Sequence, residues 1–184
     1  MIRTLIVLEI TILITVLGYS APAPQGARAP VLGPPGCPFI IDGPVVSFGR
    51  SIRTLEELVR DASLIVDVMV RSNQSAEGRA SRDTLFSVNQ VLKGSENSAE
   101  ITVSRFSAVG FFDMRPGQRF ILFLTPNTRA TNPRFIQSGG PSGAFCIDQG
   151  VVHLRRDSAL KDLYEGTTVD KTLQDISNAT RGIR

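Results

Sequence analysis

A chain of 184 residues, 42% hydrophobic and 20% charged, is long enough for one domain with a real core. The formal charge is +3, and its positive side is carried mostly by scattered arginines: Arg50, Arg53, Arg60, Arg71, Arg79 and Arg82, with one adjacent pair at Arg155-Arg156. Nucleic-acid proteins gather such charge on one face or helix, so this pattern argues against a nucleic-acid partner.

The chain opens with Met1-Ile2-Arg3-Thr4, then an apolar run over 5–17 broken by Glu9, then small residues up to Ala23. That order is the layout of a secretory signal peptide. The run is shorter than the roughly 20 apolar residues of a spanning helix. Cleavage is expected between Ala21 and Ala29. An uncleaved anchor is the alternative, and only then is a membrane a partner; a buried strand of a cytosolic protein leaves the order of charge, apolar run and small residues unexplained. Residues 21–44 are rich in Pro, Gly and Ala and include Gly33-Pro34-Pro35-Gly36-Cys37-Pro38. Proline fixes φ and removes donors, so this stretch reads as a tether. The expected division is 1–23 signal or anchor, 24–50 tether, 51–155 β domain and 156–184 helical segment.

Thr54 with Glu57 forms a capping-box pattern, and Leu55, Leu58, Val59 and Ala62 share one helical face. Strands are expected over 64–71, 84–92, 100–106 and 119–125. Asp67 marks an exposed position in the first. Lys93-Gly94 and Arg115-Pro116-Gly117-Gln118 read as turns. Phe120-Ile121-Leu122-Phe123-Leu124 is a continuous apolar run, expected to be a strand buried on both faces. A short strand over 134–137 and a flexible loop over 138–143 follow. Next come a hairpin across Asp148-Gln149-Gly150 and helices over 158–164 and 169–178, the second striped by Leu173 and Ile176.

Four strings belong together: Ala62-Ser63-Leu64-Ile65-Val66, Phe86 to Gly94 (FSVNQVLKG), Ile101-Thr102-Val103, and Pro116 to Leu124 (PGQRFILFL). Their pattern resembles that of bacterial exported domains related to the tissue inhibitors of metalloproteinases and to netrin modules. The resemblance covers about Ser51 to Val152. It implies a mainly β fold: a five-stranded OB-type barrel, here with a short N-terminal helix and C-terminal helices. Strand cores and turns carry it, so it speaks to fold more than to function. The animal inhibitors chelate zinc through an N-terminal cysteine. Cys37 lies past the expected cleavage point and precedes a proline, so that mechanism is not carried over.

Catalytic chemistry is sparse. His153 is the only histidine, and it alternates with apolar residues in a strand candidate. One histidine does not build the usual metal or triad sites. A hydrolase pairing His153 with Cys146 or Ser142 is formally available, without a nucleophile elbow or an evident orienting residue. The two cysteines lack metal or redox spacing, and in an exported chain Cys37 and Cys146 are expected to pair; two separate thiols are the alternative. Phe106, Phe111 and Phe112 surround Gly110 and form a candidate binding rim, although such residues also serve as loop anchors. Asn73-Gln74-Ser75 and Asn178-Ala179-Thr180 match glycosylation sequons. The expectation is therefore an exported binding or inhibitory domain with no catalytic residues, metal or cofactor, acting on another protein. A membrane-tethered structural module is the alternative.

Overall fold

The computed structural model describes residues 31–32, 36–40, 52, 54–75, 81–106, 114–128 and 135–183. The proposed export segment, 1–23, lies outside them. The described elements are β1 (Val31–Leu32), β2 (Phe39–Ile40), α1 (Leu55–Asp61), β3 (Leu64–Ser75), β4 (Ser81–Lys93), β5 (Glu100–Phe106) and β6 (Arg119–Pro126). They continue with β7 (Phe135–Gln137), a 3-10 turn (Gly140–Ser142), β8 (Ala144–Asp148), β9 (Val151–His153), α2 (Lys161–Tyr164) and α3 (Val169–Gly182).

Five strands close a barrel in the order β3-β4-β5-β7-β6, with β6 returning to β3. The β5–β7 contact is parallel and the other four are antiparallel. This is the expected mainly β, five-stranded barrel with a short helix before it and helices after it. β3 and β4 pair along almost their whole length, with three register shifts. Such bulges bend and twist a strand pair, which lets two long strands wrap a small barrel.

β6 explains why there are two cores. Phe120, Leu122 and Leu124 point into the barrel beside Val66, Val68, Phe86 and Val103. Ile121 and Phe123 point outward, into a second layer with Leu58, Val59, Phe145, Leu160 and Ile176. All five are buried, as the continuous apolar run predicts. Fully burying a side chain of this size stabilises by roughly 1.5–3 kcal/mol. The outer layer is capped by aromatics: the Phe123 and Phe145 centroids lie 5.3 Å apart, and those of Phe145 and Tyr164 5.8 Å.

α1 starts where the sequence places it, with the Glu57 N–H donating to Thr54 Oγ1 at 3.2 Å. Its last turn is held from across the chain. Lys93 Nζ donates to Val59 O and Ala62 O, both at 2.6 Å, and to Arg60 O at 3.3 Å. A cation there satisfies the orphan carbonyls and meets the negative end of the helix dipole. Burial holds the Lys93 pKa below the ordinary lysine value, against the opposing pull of Asp61. Gly94, next in the chain, sits at φ +84°, and a Cβ there would run into the Ser63 carbonyl.

Two expectations are corrected. Asp67 is not exposed: it is 1% accessible. The alternation correctly places it on the outer face of β3, but side chains from both neighbouring strands cover that face. Residues 138–143 are not a loose loop, because the 3-10 turn buries Ser142, and Gly143 O accepts from Phe123 N–H at 3.0 Å. The strands also run past their expected ends, since β3 and β4 go on pairing as far as Ser75↔Arg82.

Candidate functional site

One end of the barrel collects the features that the sequence singles out. Cys37 and Cys146 form a disulfide with a Cα–Cα distance of 5.8 Å and both residues 0% exposed. Cys146 comes from β8, whose partner β6 pairs Phe120 with Cys146 and Arg119 with Ile147. The expected pairing is therefore present, and it inserts the proline-rich segment into the barrel core, where Cys37 packs with Met114 and Phe120. Pro38 beside it is buried. Gly36 O accepts from Gln118 Nε2 at 2.7 Å. A Cβ at Gly36 would meet the Asp148 carboxylate, so a larger residue there would have to turn that side chain aside.

Gln118 belongs to the Arg115-Pro116-Gly117-Gln118 turn, closed by Gln118 N–H to Arg115 O at 3.1 Å. The turn is stitched to β3: Val70 N–H donates to Gln118 O at 2.8 Å and Gly117 N–H to Val70 O at 2.9 Å. Beside it, Asn73 Nδ2 donates to Met114 O, and the Thr84 hydroxyl donates to Asn73 Oδ1 at 2.7 Å. β5 also ends here, with Phe106 opposite Ser81. The Cys37 segment, the outer end of the β3–β4 pair and both ends of the β5–β6 connection thus share one end of the barrel. Phe111 and Phe112 lie outside the described residues, and Phe106 is described only as backbone at the end of β5.

A second polar cluster lies on the barrel's outer wall. Arg119 Nε donates to Asp67 Oδ1 at 2.9 Å and to Oδ2 at 3.2 Å, its Nη2 also reaches Oδ2, and Asn89 Nδ2 donates to Oδ1 at 3.1 Å. Hydrogen bonding to Asp67 holds the Arg119 pKa above its ordinary value against burial, and the charges of Asp67 and Asp170 add to it. A buried carboxylate gripped by a forked guanidinium is a structural brace between β3 and β6. Sequence reading misses it because the two residues stand 52 positions apart.

The residues of the hydrolase alternative are also located. His153 and Cys146 are register partners across the β8–β9 hairpin. The Cys146 sulfur is bonded to Cys37, so it offers no thiolate to the imidazole. His153 Nδ1 instead meets Glu165 Oε1 at 3.0 Å. Glu165 also accepts from Leu154 N–H at 2.7 Å and lies 3.3 Å from Lys161 Nζ. Burial alone would raise the Glu165 pKa. The hydrogen bonds from Leu154, His153 and Lys161, with the charge of Lys161, outweigh it and hold the carboxyl below the ordinary glutamate value. This cluster ties α2 to β9. Ser142 Oγ lies 3.0 Å from Ser158 Oγ in a buried pair. Among the described residues, no three His, Cys, Asp or Glu side chains gather in a way that could hold a metal ion.

The chain matches no protein-family model, and it matches none of the curated proteins with which it was compared.

Proposed function

We propose that this chain is an exported, non-enzymatic domain that binds or inhibits another protein through the Cys37 end of its barrel. The observation that carries this reading is the convergence of the disulfide-anchored Cys37 segment, the outer end of the β3–β4 pair and the two ends that flank the β5–β6 connection. Binding sites tend to sit on loops that a rigid scaffold positions, and here a closed barrel and a covalent bond fix the loop ends. A disulfide suits an oxidising compartment, consistent with the signal-like N-terminus.

The proposed kinship is to the exported domains related to tissue inhibitors of metalloproteinases and netrin modules. The strings behind that resemblance have structural jobs here: Lys93-Gly94 closes α1, and Pro116-Gly117 starts the strand that serves both cores. The partner is a protein rather than a nucleic acid, because the chain's arginines are scattered and one of them, Arg119, is committed to Asp67.

The test uses the oxidised mature protein as bait, with two variants at opposite ends. Arg115→Glu alters an exposed residue at the Cys37 end, and Asn97→Arg alters one in the β4–β5 connection. A partner captured by wild type and Asn97→Arg but lost by Arg115→Glu supports the assignment. Loss confined to Asn97→Arg moves the binding face to the other end.

A further inference from the structure

β5 pairs with β4 only from Ser81 to Ser87, and one further bond joins Val88 N–H to Ala99 O. From Asn89 to Lys93, β4 has β3 on one side and, among the described residues, no strand on the other. Register shifts bracket Gln90 and Val91, so this open edge is short. α3 runs beside it. An open cleft of about 290 Å³ lies between them, lined by Gln90, Val91 and Leu92 of β4 and by Asp170, Leu173 and Ser177 of α3. Val91 packs into the barrel core and Leu92 into the outer layer, so a cleft that touches both reaches the backbone edge between them. On α3, positions 170, 173 and 177 form one helical stripe. Leu92 and Leu173 make the cleft partly apolar, and Asp170 is exposed beside them. The Asp170 carboxylate makes no hydrogen bond or ion pair among the described residues. Cations nearby are committed elsewhere: Lys171 Nζ to Asp175 at 2.7 Å, the Arg119 fork to Asp67, and Lys93 Nζ to the carbonyls of α1.

We propose that this cleft docks an extended segment of a partner protein that carries a lysine or arginine. The segment's backbone adds to the sheet edge at Gln90 and Val91. Its basic side chain lays an apolar stem on Leu92 and Leu173, and the cation meets Asp170. With so short a ladder, that side chain carries most of the specificity. A second copy of this chain is a poorer occupant, because the same edge of the copy brings no free cation: its Lys93 amine is held by Val59 O and Ala62 O. The cleft is apart from the Cys37 end, so the inference does not rest on the binding role proposed for that end.

The experiment is an NMR titration of the full mature chain, oxidised, with the peptide acetyl-TVRVT-amide and its acidic counterpart acetyl-TVEVT-amide, on wild type and on Asp170→Asn. Asp170 is exposed, so its replacement is compatible with folding. At about 5 mM the arginine peptide should shift the amides of Gln90, Val91, Leu92 and Leu173, and the glutamate peptide should leave them in place. Asp170→Asn should weaken binding of the arginine peptide by about threefold or more. No shift in the cleft, equal shifts from the two peptides, or an unchanged affinity in Asp170→Asn overturns the proposal. Shifts at the same amides that depend on chain concentration without peptide also overturn it, because a second copy would then occupy the edge.

Discussion

The two ends of the barrel are secured by different means. At the α1 end, Lys93 and Gly94 meet the last turn of a helix that lies about thirty residues earlier, through three hydrogen bonds to backbone carbonyls. At the other end, a cysteine 109 residues upstream of its partner is brought in by a covalent bond. One end relies on noncovalent geometry that exists only in the folded state. The other constrains the unfolded chain as well, since a crosslink removes its loop-closure entropy. The strand ends that flank residues 107–113 belong to the covalent end.

The largest effect should come from the wall that joins the two ends. Leu122 is 1% exposed in the barrel core, and Leu122→Asp would bury an unpaired charge, which costs several kcal/mol. Little folded protein is expected; a soluble variant with native NMR dispersion would show that β6 is not the shared wall. Next comes the covalent end: Cys37→Ala/Cys146→Ala should lower the urea unfolding free energy by about 2–5 kcal/mol. Lys93→Met, at the other end, should cost less, roughly 1.5–3 kcal/mol, by stripping a charged donor from carbonyls of α1. If Lys93→Met proves the costlier, the ranking of the two ends is reversed.

The smallest effect lies away from both ends, in the Glu165 cluster, and depends on pH. The folded Glu165 pKa is lowered from 4.5, so the unfolded chain binds more protons in the window below 4.5. The stabilisation is present above that window and is lost as pH falls through the lowered folded value. Wild type should therefore exceed Glu165→Gln in thermal stability at pH 7, and the two should converge in the acid range. A gap that is constant with pH would mean that packing rather than the carboxylate charge ties α2 to β9.

Tyr164 adds a spectroscopic check on the outer layer. Burial, then the charge of and hydrogen bond to Asp175, then the charge of Glu56, push its pKa up to about 12. Ultraviolet titration should find this phenol protonated past the ordinary tyrosine value of 10.0, with stability falling as pH rises from that value toward the folded one.

Much of the fold is legible in the chain because its signals are local. The Thr54 cap and the apolar face of α1 lie within one helix, and the run from Phe120 to Leu124 shows both buried faces of β6 in five consecutive residues. The β8–β9 hairpin follows from Asp148-Gln149-Gly150, where Gln149 and Gly150 take φ 50° and 78°. What escapes is long-range. Alternation tells on which side of β3 Asp67 lies, but not that Arg119 and Asn89 cover that side. Lys93 is legible as a turn residue but not as the cap of α1, because the carbonyls it meets come from another element. The candidate site is half legible: the disulfide follows from cysteine number and the expected compartment, whereas nothing local shows that the strand ends flanking residues 107–113 share an end with Cys37.

The disulfide also changes how the molecule bears force. Tension applied to the chain on either side of the loop passes from Cys37 directly to Cys146 and bypasses the 109-residue separation between them. That bypassed stretch carries β3 to β7, and at about 3.5 Å per residue it hides about 380 Å of contour length. A molecule pulled on either side of the bond should give up its C-terminal helices first and keep its barrel unstretched for as long as the sulfur–sulfur link survives.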